Sequence, residues 1–400
     1  MRNLIFSLLL ANLIQAEDWP NWRGPRHDGI SREDVPKADF SKIAWRAKIG
    51  VGFSSMAVAD GRVFALGSSG KRRGNLETFT CLDAATGKKF WSDTYPAALV
   101  DNLHEGGPCA TPTVDGKRVY GYSKSGRLVC YNVADGKKYW TVELMAKAEL
   151  PKPPEWGFAG SPLILGNMVI VEATFTCAFN KTTGKEVWRS KKYKPAYGSP
   201  AAFQFKGRVY YIATLKTDGL VILDAQTGKT VTFQDWRTSF RTNSTTPIVV
   251  GNKIFLSTGY QRGCALFEFT GNGLKQIYTN KNLSNHMNNS VVLGGFVYGI
   301  DGNTHGRGPK QIVCMRFADG TVQWRKESYG CGSLMAVQNQ LLILGEKGML
   351  ALGPASPKGF TPTTEAQILQ GRCWTVPVFS NGRIYARNAA GTLVCVDTRK

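Results

Sequence analysis

The chain has 400 residues, 42% hydrophobic and 20% charged, a globular composition that excludes disorder, collagen and a bundle of membrane helices. Lys and Arg outnumber Asp and Glu by 50 to 29, and the net charge of +21 points toward polyanions: nucleic acid, acidic polysaccharide or an anionic membrane. Forty-four glycines and 18 prolines call for many turns.

Arg2 precedes an apolar run over 4–10 that weakens through Leu13 and Ile14 to Ala16, and Glu17 and Asp18 then open polar sequence. This is the grammar of a signal peptide over 1–16, cleaved after Ala16. Export to the periplasm or the exterior argues against a nucleic-acid partner. No other stretch approaches the roughly 20 apolar residues of a membrane span, so no transmembrane segment is expected. Residues 17–41 form a Trp-, Pro- and Gly-rich N-terminal segment.

From residue 42 onward the chain repeats itself. Asp83, Thr86, Gly87 and Trp91 are echoed by Asn132, Asp135, Gly136 and Trp140, then by Asn180, Thr183, Gly184 and Trp188. Further copies are Asp224, Thr227 and Gly228, and Asp319, Gly320 and Trp324. The glycines step by 49, 48 and 44, and Gly320 follows Gly228 by 92, or twice 46, which leaves room for one degenerate copy near 268–278. Each copy reads as four short strands separated by Gly-containing hairpin turns, the pattern of one propeller blade. Innermost strands are expected near Ser55, Ala110, Ser161, Ser199, Thr246, Ser290, Ser333 and Thr375, giving an all-β, eight-bladed β-propeller of four-stranded antiparallel blades over 42–400. The eighth blade lacks its outermost strand at the C-terminus. Trp45 precedes Trp91 by 46, so the strand over 42–49 is expected to supply it and to close the ring by pairing N- and C-terminal strands.

Nine cysteines are an odd number, and no CxxC or paired-His spacing indicates a metal. Cys81, Cys130, Cys314 and Cys395 recur at one point of the repeat and read as small buried hydrophobes.

The repeat Asp-x-x-Thr-Gly-x-x-x-Trp, opened by Ser/Thr-Pro as at Thr111-Pro112 and Ser161-Pro162, resembles the pyrroloquinoline-quinone (PQQ) repeat. Eight-bladed quinoprotein alcohol dehydrogenases carry it, and so does a non-catalytic propeller that assists outer-membrane protein assembly. The stretch holding Asp18, Trp19, Pro20, Trp22, Gly24 and Pro25 looks like the N-terminal signature of secreted bacterial PQQ-like propellers. The resemblance implies that the repeat tryptophans dock neighbouring blades. It also sets a test for catalysis, since those dehydrogenases hold PQQ over a vicinal Cys-Cys disulfide beside calcium. This chain has no Cys-Cys, so no cofactor is expected, with PQQ and calcium as the alternative.

Loops entering the innermost strands converge on one mouth of a propeller, which makes His104, Glu105, Trp156, Tyr197, Arg241, Asn243, His286, Asn288, Arg372 and Trp374 candidate ligand-binding residues. His104 with Glu105, and His286 among asparagines, suit acid–base work, although no nucleophile elbow or phosphate loop accompanies them. His305 falls in a Gly-rich hairpin loop expected to be exposed. The reading is a monomeric, non-catalytic binding or scaffolding propeller with a protein or acidic-polysaccharide partner; a carbohydrate- or polyanion-binding propeller and a PQQ-dependent dehydrogenase are the alternatives.

Overall fold

The computed structural model describes residues 16–34, 39–207, 209–327 and 329–399; the expected signal peptide lies outside these, apart from Ala16. Eight antiparallel sheets follow one another along the chain as the eight blades of a closed propeller. In blade 2 the strands Thr113–Asp115, Arg118–Tyr122, Arg127–Asn132 and Lys138–Glu143 run in order from axis to periphery. The two middle strands are buried on both faces because each blade is sandwiched between two others, and their sequences RVYGY and RLVCYN are accordingly apolar without strict alternation. The outermost strand has one face in solvent. Among the described residues no helix is long and apolar enough to cross a membrane.

The repeat motif is explained by one joint used again and again. Asp83 Oδ1 accepts the Ala85 and Thr86 amides and the Thr86 hydroxyl at 2.7–2.9 Å, closing the turn between the third and fourth strands. Asn180 and Asp224 do the same in blades 3 and 4. The following glycine has positive φ and receives the indole of the preceding blade: a Cβ on Gly136 would lie 2.5 Å from the Trp91 ring. Each indole then donates across the seam, Trp45 to Ala84 O, Trp91 to Val133 O, Trp140 to Lys181 O and Trp188 to Ala225 O, at 3.0–3.2 Å. In degenerate blade 5, Tyr278 packs on Gly320 in the tryptophan's place. Cys81, Cys130, Cys314 and Cys395 lie opposite Trp91, Trp140, Trp324 and Trp45 in the strand register, where a small buried side chain leaves room beside the indole.

The Ser/Thr that opens the innermost strands has its own task. Thr111 N donates to Ser161 Oγ, Ser161 N to Ser199 Oγ, Ser199 N to Thr246 Oγ1 and Thr246 N to Asn289 Oδ1, at 2.8–3.2 Å, so hydroxyls and one amide stitch blades 2 to 6 around the axis.

Ring closure follows expectation: Ile43–Lys48 pairs antiparallel with Thr392–Asp397, with Trp45 opposite Cys395. Arg387, fully buried, ties the seam by donating to Gly50 O, Ser54 O and Leu66 O at 2.7–3.2 Å.

The N-terminal segment does more than its composition suggests. Trp19 exchanges two backbone hydrogen bonds with Val58, Pro20 O accepts from Val114 N, and Ile30–Ser31 adds as a parallel strand to Ser333–Val337, making blade 7 five-stranded. Trp22 Nε1 donates to Thr246 Oγ1, Arg23 Nη1 to Ser290 O, and the Glu33 carboxylate accepts the Asn381 and Gly382 amides. Residues 17–33 thus touch blades 1, 2, 5, 6, 7 and 8 and cross the channel end opposite the mouth.

Candidate functional site

Crossing the channel turns it into a blind funnel lined in part by Trp22 and open at the mouth, with about 1100 Å³ of unfilled space counting that opening. Five of the ten candidate residues line it: His104, Trp156, Tyr197, His286 and Trp374. Their faces form a nearly continuous belt. Phe53 stacks on Trp374 at 5.4 Å, His104 meets Phe53 edge-on at 5.2 Å, and His305 meets Trp374 at 5.8 Å. Tyr260 packs against His286 at 4.8 Å, and Trp156 meets Tyr197 at 5.6 Å.

The other five lie beside the funnel. Glu105 and Arg372 pair at 2.6 Å on the rim, both partly exposed, and the Arg372 guanidinium lies 4.3 Å over the Trp374 ring. Such a pair contributes little to stability. Its geometric effect is to hold Trp374 from above while Glu346 Oε1 accepts the indole N–H at 2.9 Å. Asn243 is fully buried: its side-chain amide donates to Lys216 O, Thr217 O and Trp236 O, and its backbone carbonyl accepts Tyr197 N–H. Asn288 is buried and donates to Gly332 O at 2.7 Å. Arg241 is exposed at positive φ and does not reach the cavity. The asparagines satisfy loop backbone and position the mouth.

The expected acid–base partners do not meet. Glu105 is engaged by Arg372, while His104 Nδ1 accepts the Gly106 amide at 2.9 Å. His286 Nδ1 accepts from the Thr304 amide at 3.2 Å instead of engaging the neighbouring asparagines. Each imidazole is thereby fixed with its proton on Nε2. Burial, then Lys124 and Arg372, lowers His104 to about 3; burial, then His305 and Lys310, lowers His286 to about 4. Both are neutral donors at neutral pH.

For His286 the unfolded imidazole titrates near 6.5 and the folded one about 4, so between these values the unfolded chain binds the extra proton and acidification favours unfolding. At about pH 4.5 this one group is expected to lower stability by about 2 kcal/mol relative to neutral pH. His286→Asn keeps an acceptor for Thr304 and should flatten that acid limb by this amount in urea unfolding. Equal acid slopes in the two proteins would place the titration elsewhere.

Sequence reasoning missed Phe53, Cys109, Lys124, Tyr260 and His305 as funnel residues. Lys124, Tyr260 and His305 sit in the loops between the second and third strands of blades 2, 5 and 6. In a four-stranded antiparallel blade those loops emerge at the same end as the loops entering the next blade, and this parity is the signal that would have found them. The Gly-rich loop around His305 is exposed as expected, yet its imidazole borders the cavity.

Fold and funnel together define a PQQ-repeat β-propeller. The family profile described as outer membrane protein assembly factor BamB matches residues 75–326, and the chain belongs to that family. No curated protein matches it significantly in sequence. Among solved structures it is similar to BamB from Moraxella catarrhalis, at 17% identity and TM-score 0.62, over 88% of this chain and 98% of that one. It is also similar to the quinohemoprotein alcohol dehydrogenase of Comamonas testosteroni, at 13% identity and TM-score 0.70, over 94% and 80% of the two chains. A europium-containing methanol dehydrogenase gives 9% identity and TM-score 0.67, over 93% and 90%. At these identities the shared property is the fold.

The resemblance of the repeat to that of quinoprotein dehydrogenases raises the question of a PQQ–calcium pair. Calcium is held by six to eight oxygens, with carboxylates prominent among them. The residues lining the funnel include imidazoles, hydroxyls, a thiol and an ammonium but no Asp or Glu. Nor do three or more His, Cys, Asp or Glu side chains gather in a metal-holding group anywhere among the described residues. The donor set does not fit that ion.

Proposed function

We propose that this chain is an exported, envelope-associated propeller that binds a protein partner at the mouth of its funnel without catalysing a reaction on it. The observation that carries the reading is the rim of the aromatic belt. Leu103 and Phe240 are 66% and 67% exposed, the two highest values among the large hydrophobic side chains, and both stand on loops at the mouth. Phe240 continues the belt through Tyr260, 4.7 Å away, and Leu103 lines the cavity. Exposed apolar groups gathered beside a concave aromatic surface are the makings of a protein-binding patch with anchors at its centre. Membership of a family described as an outer membrane protein assembly factor supports a protein partner and a periplasmic setting.

Site-specific photocrosslinking in the native host tests this. A photoreactive residue at Phe240 is expected to give a defined adduct, and Val187, about half exposed on an outermost strand, serves as the control. Leu103→Asp and Trp374→Ala should each reduce that adduct at least about tenfold, as loss of an interface anchor does. Adducts that form at Val187 and not at Phe240 would move the interface to the blade edges.

A further inference from the structure

The funnel wall between blades 1, 2 and 8 holds two buried cations for which the cavity supplies no carboxylate. Lys124 is fully buried, lines the cavity, and the hydrogen bond of its ammonium goes to Cys109 Sγ at 3.3 Å. Arg387, fully buried close by, is satisfied by carbonyls alone, and burial lowers it to about 9. Behind Lys124 the Glu77 carboxyl accepts the Lys124 backbone amide at 3.2 Å, and burial pushes that acid up to about 7. His104, the remaining titratable group on this wall, is held neutral. A buried ammonium needs a counter-charge, and the thiol is the group in contact with it that can become an anion. Cys109 is also the one partly exposed cysteine of the nine; the other eight are buried.

We propose that Cys109, with the Lys124 ammonium against its sulfur, is the nucleophile of a thiol–disulfide exchange site in the funnel wall, its substrate a disulfide carried by a ligand or partner. The thiolate attacks one sulfur of that disulfide, a new S–S bond to Cys109 forms as the original S–S bond breaks, and the other half leaves as a thiolate that takes a proton from water. The Cys109 sulfur is oxidised to the disulfide level as the leaving sulfur is reduced to a thiolate, so no outside oxidant is needed. The mixed disulfide tethers the occupant inside a funnel whose Nε2–H donors and aromatic faces surround it. This chemistry goes beyond docking at the mouth and stands whichever partner docks there.

The aromatic disulfide dithiobis(nitrobenzoate), added to the folded chain, reads the reaction directly. One thionitrobenzoate per chain should be released from the folded protein at neutral pH. Cys109→Ser should abolish the release. Lys124→Met, which keeps the length of the stem, should slow the release at neutral pH at least about tenfold. Release of none or of several equivalents from the unmodified folded chain, which requires no variant to fold, overturns the proposal. So does a release that Cys109→Ser leaves in place or that Lys124→Met does not slow.

Discussion

Deletion of residues 17–50 is expected to abolish the single cooperative melting transition and leave an aggregating chain. The deletion removes the outermost strand of blade 8, stripping Thr392–Asp397 of its partner and exposing a row of unpaired backbone groups. It also removes Trp45, 8% exposed, whose ring covers the turn at Gly87, a truncation that by itself costs about 3 to 5 kcal/mol at a buried aromatic. The segment that crosses the channel goes with it, and six blades lose a contact at the axis. Set against the roughly 5 to 15 kcal/mol by which proteins are stable, these losses exceed what the ring can absorb. Calorimetry and light scattering read the outcome together. A truncated chain that melts as sharply as the intact one, without scattering, would show that blade 8 is stable with three strands.

Replacing Glu172 with methionine is expected to destabilise the protein by about 3 to 5 kcal/mol, and replacing Lys216 in the same chain to restore most of that loss. Glu172 ends the second strand of blade 3 and Lys216 the second strand of blade 4, and their ion pair spans the seam with side-chain exposures of 4% and 1%. Thr176 Oγ1 donates to the same carboxylate at 2.9 Å, and Lys216 O accepts the Asn243 amide that props the mouth loop. Removing the carboxylate alone leaves an ammonium in a dry seam, whereas two methionines fill the same space without charge. Urea midpoints of the two single variants and the double variant form the cycle that separates these effects. A double variant no more stable than Glu172→Met would mean that the loss comes from packing and not from the stranded charge.

The architecture was legible because one joint recurs. A turn closed by Asp or Asn and Thr, a glycine free to adopt positive φ, and an indole that lands on the next such glycine leave the same letters at each copy. The ring's closure was legible for the same reason, from Trp45 standing one repeat ahead of Trp91. The funnel was half legible. Repeat register locates the loops between blades, hence His104, Trp156, Tyr197, His286 and Trp374. It does not distinguish a side chain that faces the cavity from one that satisfies backbone, which is why Asn243 and Asn288, each donating to loop carbonyls, had the look of ligand contacts. The loops within blades vary in length and carry no motif, so Lys124 and Tyr260 left no comparable mark. The strand Ile30–Ser31 is two residues long, too short for any periodicity to announce it.

The strand pairing that shuts the ring also dictates when it can shut. Ile43 meets Val396, 353 positions further along (396 − 43), so a chain emerging from its N-terminus must carry its closing strand unpaired until nearly every other blade has been made. Pairings this distant come late in folding, because loop closure must precede the contacts that reward it. Until then the edges of the first and last blades remain open to other chains. Residues 30–33 share this delay, since their partners Ala336, Val337, Asn381 and Gly382 also lie in the last two blades. The blind end of the funnel therefore seals last, and the cavity takes its final shape only once the eighth blade has been made.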